Sequence, residues 1–91
     1  MKVRRKPIIF EAILVKDVIS LARTDWLSLP EWLRIAYEEG NIVILPSSIY
    51  IQTLEGRMRA EYNDWIIRGI KGELHPIKPD IFEETYEIIN E

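Results

Sequence analysis

From residue 41 to residue 78 apolar and polar positions alternate with a period of two, and the alternation is interrupted at Pro46-Ser47-Ser48, Glu55-Gly56, Asn63-Asp64 and Lys71-Gly72. Period two is the mark of a strand with unlike faces, and such interruptions are hairpin signals. Two-residue turns at the last three predict a meander of strands over residues 49–54, 57–62, 65–70 and 73–78. One face then carries Ile49, Ile51, Thr53, Met58, Ala60, Tyr62, Trp65, Ile67, Gly69, Leu74 and Pro76. The other aligns Gln52, Arg59, Arg68 and His75 in one cross-strand row, with Tyr50, Glu61, Ile66 and Ile77 on one side of it and Leu54, Arg57, Ile70 and Glu73 on the other.

Before the meander, residues 8–15 are apolar on both faces apart from Glu11, which predicts a strand covered from two sides, with Pro7 at its start. Residues 17–23 predict a short helix capped by Asp17. The stretch "SLPEWLRIAYEEG" predicts a second helix over residues 29–39. Ser28 and Glu31 have capping-box spacing, Pro30 falls in the first turn, Gly40 follows the end, and Leu29, Trp32, Leu33 and Ala36 share one stripe. After the meander, Asp80 follows a proline and predicts a turn or a single helical turn that tucks Ile81 and Phe82 inward. A final strand through Tyr86, Ile88 and Ile89 is expected to pair with the first. The fold class expected is α+β: an antiparallel meander of five to six strands, open or closed into a small barrel, with one or two short helices on one face.

Composition narrows this further. Ninety-one residues, 47% hydrophobic and 30% charged, make one domain, residues 1–91, with room for one core. A formal charge of −3 gives no general attraction to nucleic acid. The chain has no cysteine, so disulfides, thiolate metal sites and a cysteine nucleophile are excluded, and a reducing cytoplasm is the expected compartment. The basic start, Lys2, Arg4, Arg5 and Lys6, precedes an apolar run that Glu11 interrupts and that lacks a small-residue cleavage site, so it reads as a strand and not a targeting signal. No apolar run reaches membrane-spanning length.

The start "KVRRKPIIFEA" and the end "LEGRMRAEYNDWIIRGIKGELHPIKPDIFEETYE" resemble a family of small bacteriophage and prophage proteins. Its members open with a basic K-x-R-K-P-x-x-x-E-A pattern and close with E-G followed by G-D-Y/W-I-I-x-G-x-x-G-E-x-Y-P-x-K-P-D-I-F-x-x-T-Y-E. The helical middle is unmatched. Asn63 stands where the pattern has Gly, and His75 where it has an aromatic residue. The resemblance implies a phage accessory protein acting in the host cytoplasm; it assigns no activity.

The residues themselves hold no nucleophile triad, metal cluster or phosphate loop, so the chain is expected to be no enzyme and to need no cofactor. His75 is the one histidine and reads as a half-exposed sheet residue before a general base. Glu83, Glu84, Glu87 and Glu91 lack the spacing of a cation loop and read as a solvated edge. Trp26, Trp32 and Trp65 read as core or interface residues. The residues with a case for binding are Tyr50, Gln52, Arg57, Arg59, Arg68 and His75. Arg59 directly opposite Arg68 calls for a compensating anion, supplied either by Glu61 and Glu73 in a surface lattice or by a phosphate-bearing ligand between two guanidinium forks, with Tyr50 to stack on. Two functions remain in view: a non-catalytic accessory protein that binds an anionic, nucleotide-like small molecule or a host protein, for example to sequester a defence signal, and a structural or assembly-interface protein with no small ligand. Both are consistent with a homo-oligomer that engages neither membrane nor nucleic acid.

Overall fold

The computed structural model of the chain describes residues 1–89. In order along the chain come β1 (Glu11–Leu14), α1 (Val15–Thr24), a 3-10 turn (Trp26–Ser28), α2 (Glu31–Glu38), β2 (Ile42–Ile44), β3 (Ser48–Thr53), β4 (Gly56–Glu61), β5 (Trp65–Arg68), β6 (Leu74–Ile77) and α3 (Pro79–Thr85). The fold is α+β and all strand pairs are antiparallel, as the alternation predicts. The six strands form two sheets of three, in the orders β2-β3-β4 and β1-β5-β6, and not one continuous meander or a closed barrel.

The division occurs at Asn63-Asp64, where a two-residue hairpin was expected. Asp64 closes a tight turn with Glu61, its N–H donating to the Glu61 carbonyl at 3.0 Å and its carboxylate accepting from the Glu61 N–H at 2.8 Å. The chain then leaves β4, and β5 pairs with β1 and β6. A buried carboxylate at the turn therefore replaces a ladder between neighbouring strands.

The hairpins on either side of this turn differ from expectation in distinct ways. Between β3 and β4 the loop residues are Leu54 and Glu55, one position earlier than expected, and Thr53 locks the loop: its hydroxyl accepts from the Glu55 N–H and donates to the Gly56 carbonyl. This shifts the pairing by two residues, to Tyr50 with Arg59 and Gln52 with Arg57, and leaves each side chain on its expected face. Between β5 and β6 the loop is three residues, Ile70-Lys71-Gly72. The Gly72 N–H donates to the Gly69 carbonyl at 3.0 Å, and the Gly69 N–H to the Glu73 carbonyl at 2.7 Å. Gly72 takes φ +85°, the left-handed position that ends such a loop. The odd count shifts the pairing by one, so that Arg68 faces Leu74 and Ile67 faces His75. A one-residue shift exchanges the two faces of β6 relative to β5.

The first strand is shorter than expected and lies at a sheet edge. Residues 1–10 have no regular secondary structure, and Ile8 and Ile9 are exposed. Val15 opens α1, where Val15, Val18 and Ile19 are buried with Ala22 packed beside them, a helical stripe facing the sheets. Asp17 makes no cap; Leu14 precedes the helix, and the Val15 N–H donates to the Asp64 carbonyl. The predicted capping box is absent from α2 as well. Pro30 is the N-cap residue, and the Ser28 hydroxyl donates to the Asp25 carboxylate, which closes the 3-10 turn. At the other end the expectation holds: Gly40 at φ +78° and the bonds from Asn41 N–H to Ala36 O and Gly40 N–H to Tyr37 O form a Schellman cap.

The main core joins Val15, Val18, Ile19, Leu29, Leu33, Ala36, Ile42, Ile49, Ile51, Ala60, Ile66 and Leu74, with β6 lying against β3 and β4. Ile66 and Ile67 are adjacent and both are within 1% of full burial, so β5 is the strand covered on two faces. Ile66 meets the main core. The opposite face, which Trp65 and Ile67 share, is covered from the side of α3, where Phe82 stacks on Trp65 with ring centroids 4.0 Å apart. Tyr86 continues the stack at 5.5 Å and meets Phe10 edge-on at 5.8 Å. The helix α3 occupies the place of the expected turn, residues 86–89, expected as a final strand, are irregular chain, and of the pair expected to tuck inward Phe82 is buried while Ile81 is exposed.

Lys78 reaches back from the end of β6 to the Asp64 carboxylate at 2.9 Å. Asp64 is 3% exposed in total, whereas the lysine side chain is largely in solvent. Asp64→Ala strands the Glu61 N–H as well as the lysine and is expected to cost about 1–3 kcal/mol in chemical denaturation; Lys78→Met, which leaves the backbone bond to the carboxylate intact, is expected to cost less. The hydrogen bond to Asp64 raises the Lys78 pKa above its ordinary value of 10.5. A group raised in the folded state contributes stability that is fully present below its unfolded pKa and lost as pH climbs through the folded one. Wild type is therefore expected to lose stability above about pH 10.5 more steeply than Lys78→Met; equal alkaline slopes in thermal melts would contradict this.

Candidate functional site

The six residues with a case for binding fall into three places. Tyr50, Gln52, Arg57 and Arg59 share the outer face of the β2-β3-β4 sheet, opposite the buried Ile49, Ile51 and Ala60. The Arg57 guanidinium carbon sits 4.4 Å above the centre of the Tyr50 ring, within cation–π range. Arg59, directly across from Tyr50, pairs with Glu61 at 3.0 Å, and both side chains are half-exposed. An exposed pair of this kind is worth about 0–1 kcal/mol. Arg57 has no acidic partner within salt-bridge distance among the described residues. Its rim holds the exposed Val43, opposite Tyr50 on β2.

Arg68 belongs to the other sheet, so the expected Arg59–Arg68 pair does not exist. It faces Leu74 on one side and Glu11 on the other, with 4.0 Å between the Arg68 Nη1 and the Glu11 carboxylate. Glu11, the single polar interruption of the first strand, also accepts the Trp32 indole N–H at 2.7 Å and so joins β1 to α2. Arg68 and Gln52 meet along a groove of about 230 Å³ that also takes in Trp32, Asn41, Glu39 and Glu73. Two carboxylates and Glu11 beside one arginine offset its charge, and this groove has no net attraction for an anion.

His75 stands apart from both. It pairs with Ile67, is half-buried, and lies on the face of β6 opposite Leu74, so the one-residue shift removes it from the basic row. The cross-strand row of Gln52, Arg59, Arg68 and His75 is therefore corrected: Gln52 and Arg59 share a face of one sheet, Arg68 lies in an acidic groove on the other, and His75 stands apart.

A second groove, of about 330 Å³, was not visible in the alternation. Lys16, Ile19, Ser20, Arg23 and Thr24 of α1 form one wall, and Pro46 and Tyr62 from the two neighbouring turns form the other. Lys16, Ser20, Arg23 and Thr24 recur at the spacing of one helix face. That spacing was the available signal, but a helix placed at residues 17–23 omits its first and last members.

The remaining features are structural. Trp26 packs at the edge of the core and meets Tyr37 edge-on at 5.0 Å. Glu83, Glu84 and Glu87 are exposed on and just after α3, and Glu91 lies outside the described residues. Among the described residues no three metal-ligating side chains converge, and no helix is long and apolar enough to cross a membrane. Comparison of the chain with protein-family models, with curated proteins and with solved structures found no match.

The placement of His75 makes a direct prediction. Because it faces Ile67 on a half-buried sheet surface and makes no side-chain hydrogen bond among the described residues, His75→Tyr is expected to leave stability unchanged or raise it by about 0.2–1 kcal/mol through an aromatic–β-branched pair. A thermal melt lowered by the substitution would place a polar partner at this position after all.

Proposed function

We propose that the protein is a non-catalytic accessory protein of the phage type that binds an anionic partner on the outer face of the β2-β3-β4 sheet. The observation that carries this reading is Arg57, a guanidinium held over Tyr50 with no carboxylate within salt-bridge distance among the described residues, beside Arg59, which pairs with the exposed Glu61. Arginine and tyrosine on a surface that is otherwise rigid sheet are the residues that carry binding energy in interfaces. Exposure selects the kind of partner. Side chains spread over the outer face of three strands, most of them exposed, are covered together by an acidic or phosphorylated protein surface, which can reach Tyr50, Arg57, Arg59 and Val43 at once, so a host protein is the partner favoured here.

Fluorescence anisotropy with labelled acidic and phosphorylated probe peptides tests this. Binding is expected to fall as salt rises, to weaken by about 1.5–3 kcal/mol in Arg57→Ala through loss of a charged hydrogen bond, and to be unaffected by Arg68→Ala, because Arg68 lies in the other sheet. Binding that is indifferent to Arg57 and Arg59 would reduce the face to a solvated lattice.

An assembly role is the second reading, favoured by the N-terminal arm. Residues 1–10 carry four cations, expose Ile8 and Ile9, and precede an edge strand, while the rest of the chain, at −3 less +4, carries −7. Self-association through the arm predicts a dimer or larger species in sedimentation at tens of micromolar, an order-of-magnitude choice for a moderate interface. Deleting residues 1–9 is then expected to give a monomer; a wild-type monomer at that concentration counts against the reading.

A further inference from the structure

The groove between α1 and the two turns has the chemistry of a small-anion site, independent of the sheet face. Its polar lining consists of Lys16, Ser20, Arg23, Thr24 and Tyr62, without a carboxylate, in a protein whose acidic residues outnumber its basic ones. Neither Lys16 nor Arg23 has an acidic partner within salt-bridge distance among the described residues. Asp17 and Asp25 adjoin this stretch in sequence but do not line the groove.

Helix geometry arranges these groups. Lys16 and Arg23 are seven residues apart, about 10 Å along the axis, and Ser20 lies between them on the same face. Two long side chains can close over a central oxyanion at that separation. The Thr24 hydroxyl is committed to the Ser20 carbonyl at 2.9 Å, whereas the Ser20 hydroxyl makes no hydrogen bond among the described residues and is available to donate. Opposite, Tyr62 presents a half-exposed ring beside Pro46, and the buried Ile19 forms the apolar floor. A volume of about 330 Å³ lies at the lower end of the range for ligand clefts.

We propose that this groove binds a small phosphate monoester bearing a planar ring: the phosphate between Lys16 and Arg23 with the Ser20 hydroxyl donating to it, and the ring against Tyr62. Lysine supplies a mobile point charge and arginine a planar fork, a combination suited to a terminal phosphate, and the aromatic wall suits a base without specifying which.

The test uses the full chain, isotope-labelled, titrated with adenosine monophosphate and separately with inorganic phosphate. With the nucleotide, amide shifts are expected at Ser20, Arg23, Thr24 and Tyr62. Lys16→Ala and Arg23→Ala are each expected to weaken both probes about tenfold or more, as loss of a charged hydrogen bond predicts. Tyr62→Ala is expected to weaken the nucleotide and leave inorganic phosphate unchanged. Arg57→Ala, on the sheet face, is expected to change neither. All four side chains are exposed, so the variants should retain the wild-type spectrum away from the substitution. Absence of shifts at millimolar probe, or wild-type affinity in both α1 variants, overturns the inference. Shifts confined to Tyr50, Arg57 and Arg59 overturn it too, while leaving the sheet-face reading standing.

Discussion

The two sheets are held in register by one buried carboxylate. Asp64 accepts from the Glu61 N–H at the end of β4 and from Lys78 at the end of β6, and its backbone carbonyl accepts from Val15 at the start of α1. Four elements, β4, α1, β5 and β6, therefore terminate or begin on a single residue. A carboxylate 3% exposed is tolerable only because its oxygen has these donors, since an unpaired buried charge is far more costly than the turn it would stabilise. The position is thus determined from several directions at once, and a shift of β5 along its axis would break bonds to three other elements.

The separation of the sheets imposes a second requirement. Leaving β4 gives β5 a partner on each side, β1 and β6, and because consecutive residues of a strand point to opposite faces, the apolar neighbours Ile66 and Ile67 require cover on both. The main core covers the first. The second is closed by the segment after β6, in which Pro79 starts α3 and Phe82 lies flat on Trp65. Asp64, Trp65, Lys78, Phe82 and Tyr86 all belong to the stretch of residues 54–87, and they make these closing contacts. That stretch accordingly encodes a carboxylate bridge, a doubly covered strand and its lid, and it also carries both basic residues of the sheet face, Arg57 and Arg59.

What could be read from the chain follows from the same distinction between local and distant constraints. The alternation from residue 41 onward reports which side chains share a face within a strand, so the apolar layer of β3 and β4 was evident, and a two-residue shift did no harm to it. The helix from Pro30 to Gly40 was evident for the same reason, down to the glycine that ends it. Whether Asn63-Asp64 folds a hairpin or diverts the chain to another sheet depends on Lys78, fourteen residues on, and on an empty place beside β1. Spacing in sequence does not contain that information. The β5–β6 loop shows how little is needed to lose a face: a Lys-Gly pair is compatible with a two-residue or a three-residue loop, and only the parity differs. With the wrong parity His75 joins Arg68; with the right one it faces Ile67.

The fate of the basic row has a physical lesson about charge on sheets. Arg59 opposite Arg68 would have been a repulsive pair in need of a ligand. In the folded chain each arginine instead has its own surroundings: Arg59 lies beside Glu61, Arg68 beside Glu11, and Arg57 over an aromatic ring. Two of the three are matched by carboxylates within 4.0 Å, so their charge is largely satisfied within the chain. A ring face attracts a guanidinium through its quadrupole but does not cancel its charge. Arg57 therefore keeps most of its field while losing much of its conformational freedom, and a cation fixed in this way needs less reordering on meeting an anion than a solvated lysine does. The asymmetry among three arginines, and not their number, is what singles out one edge of the sheet for the proposed binding.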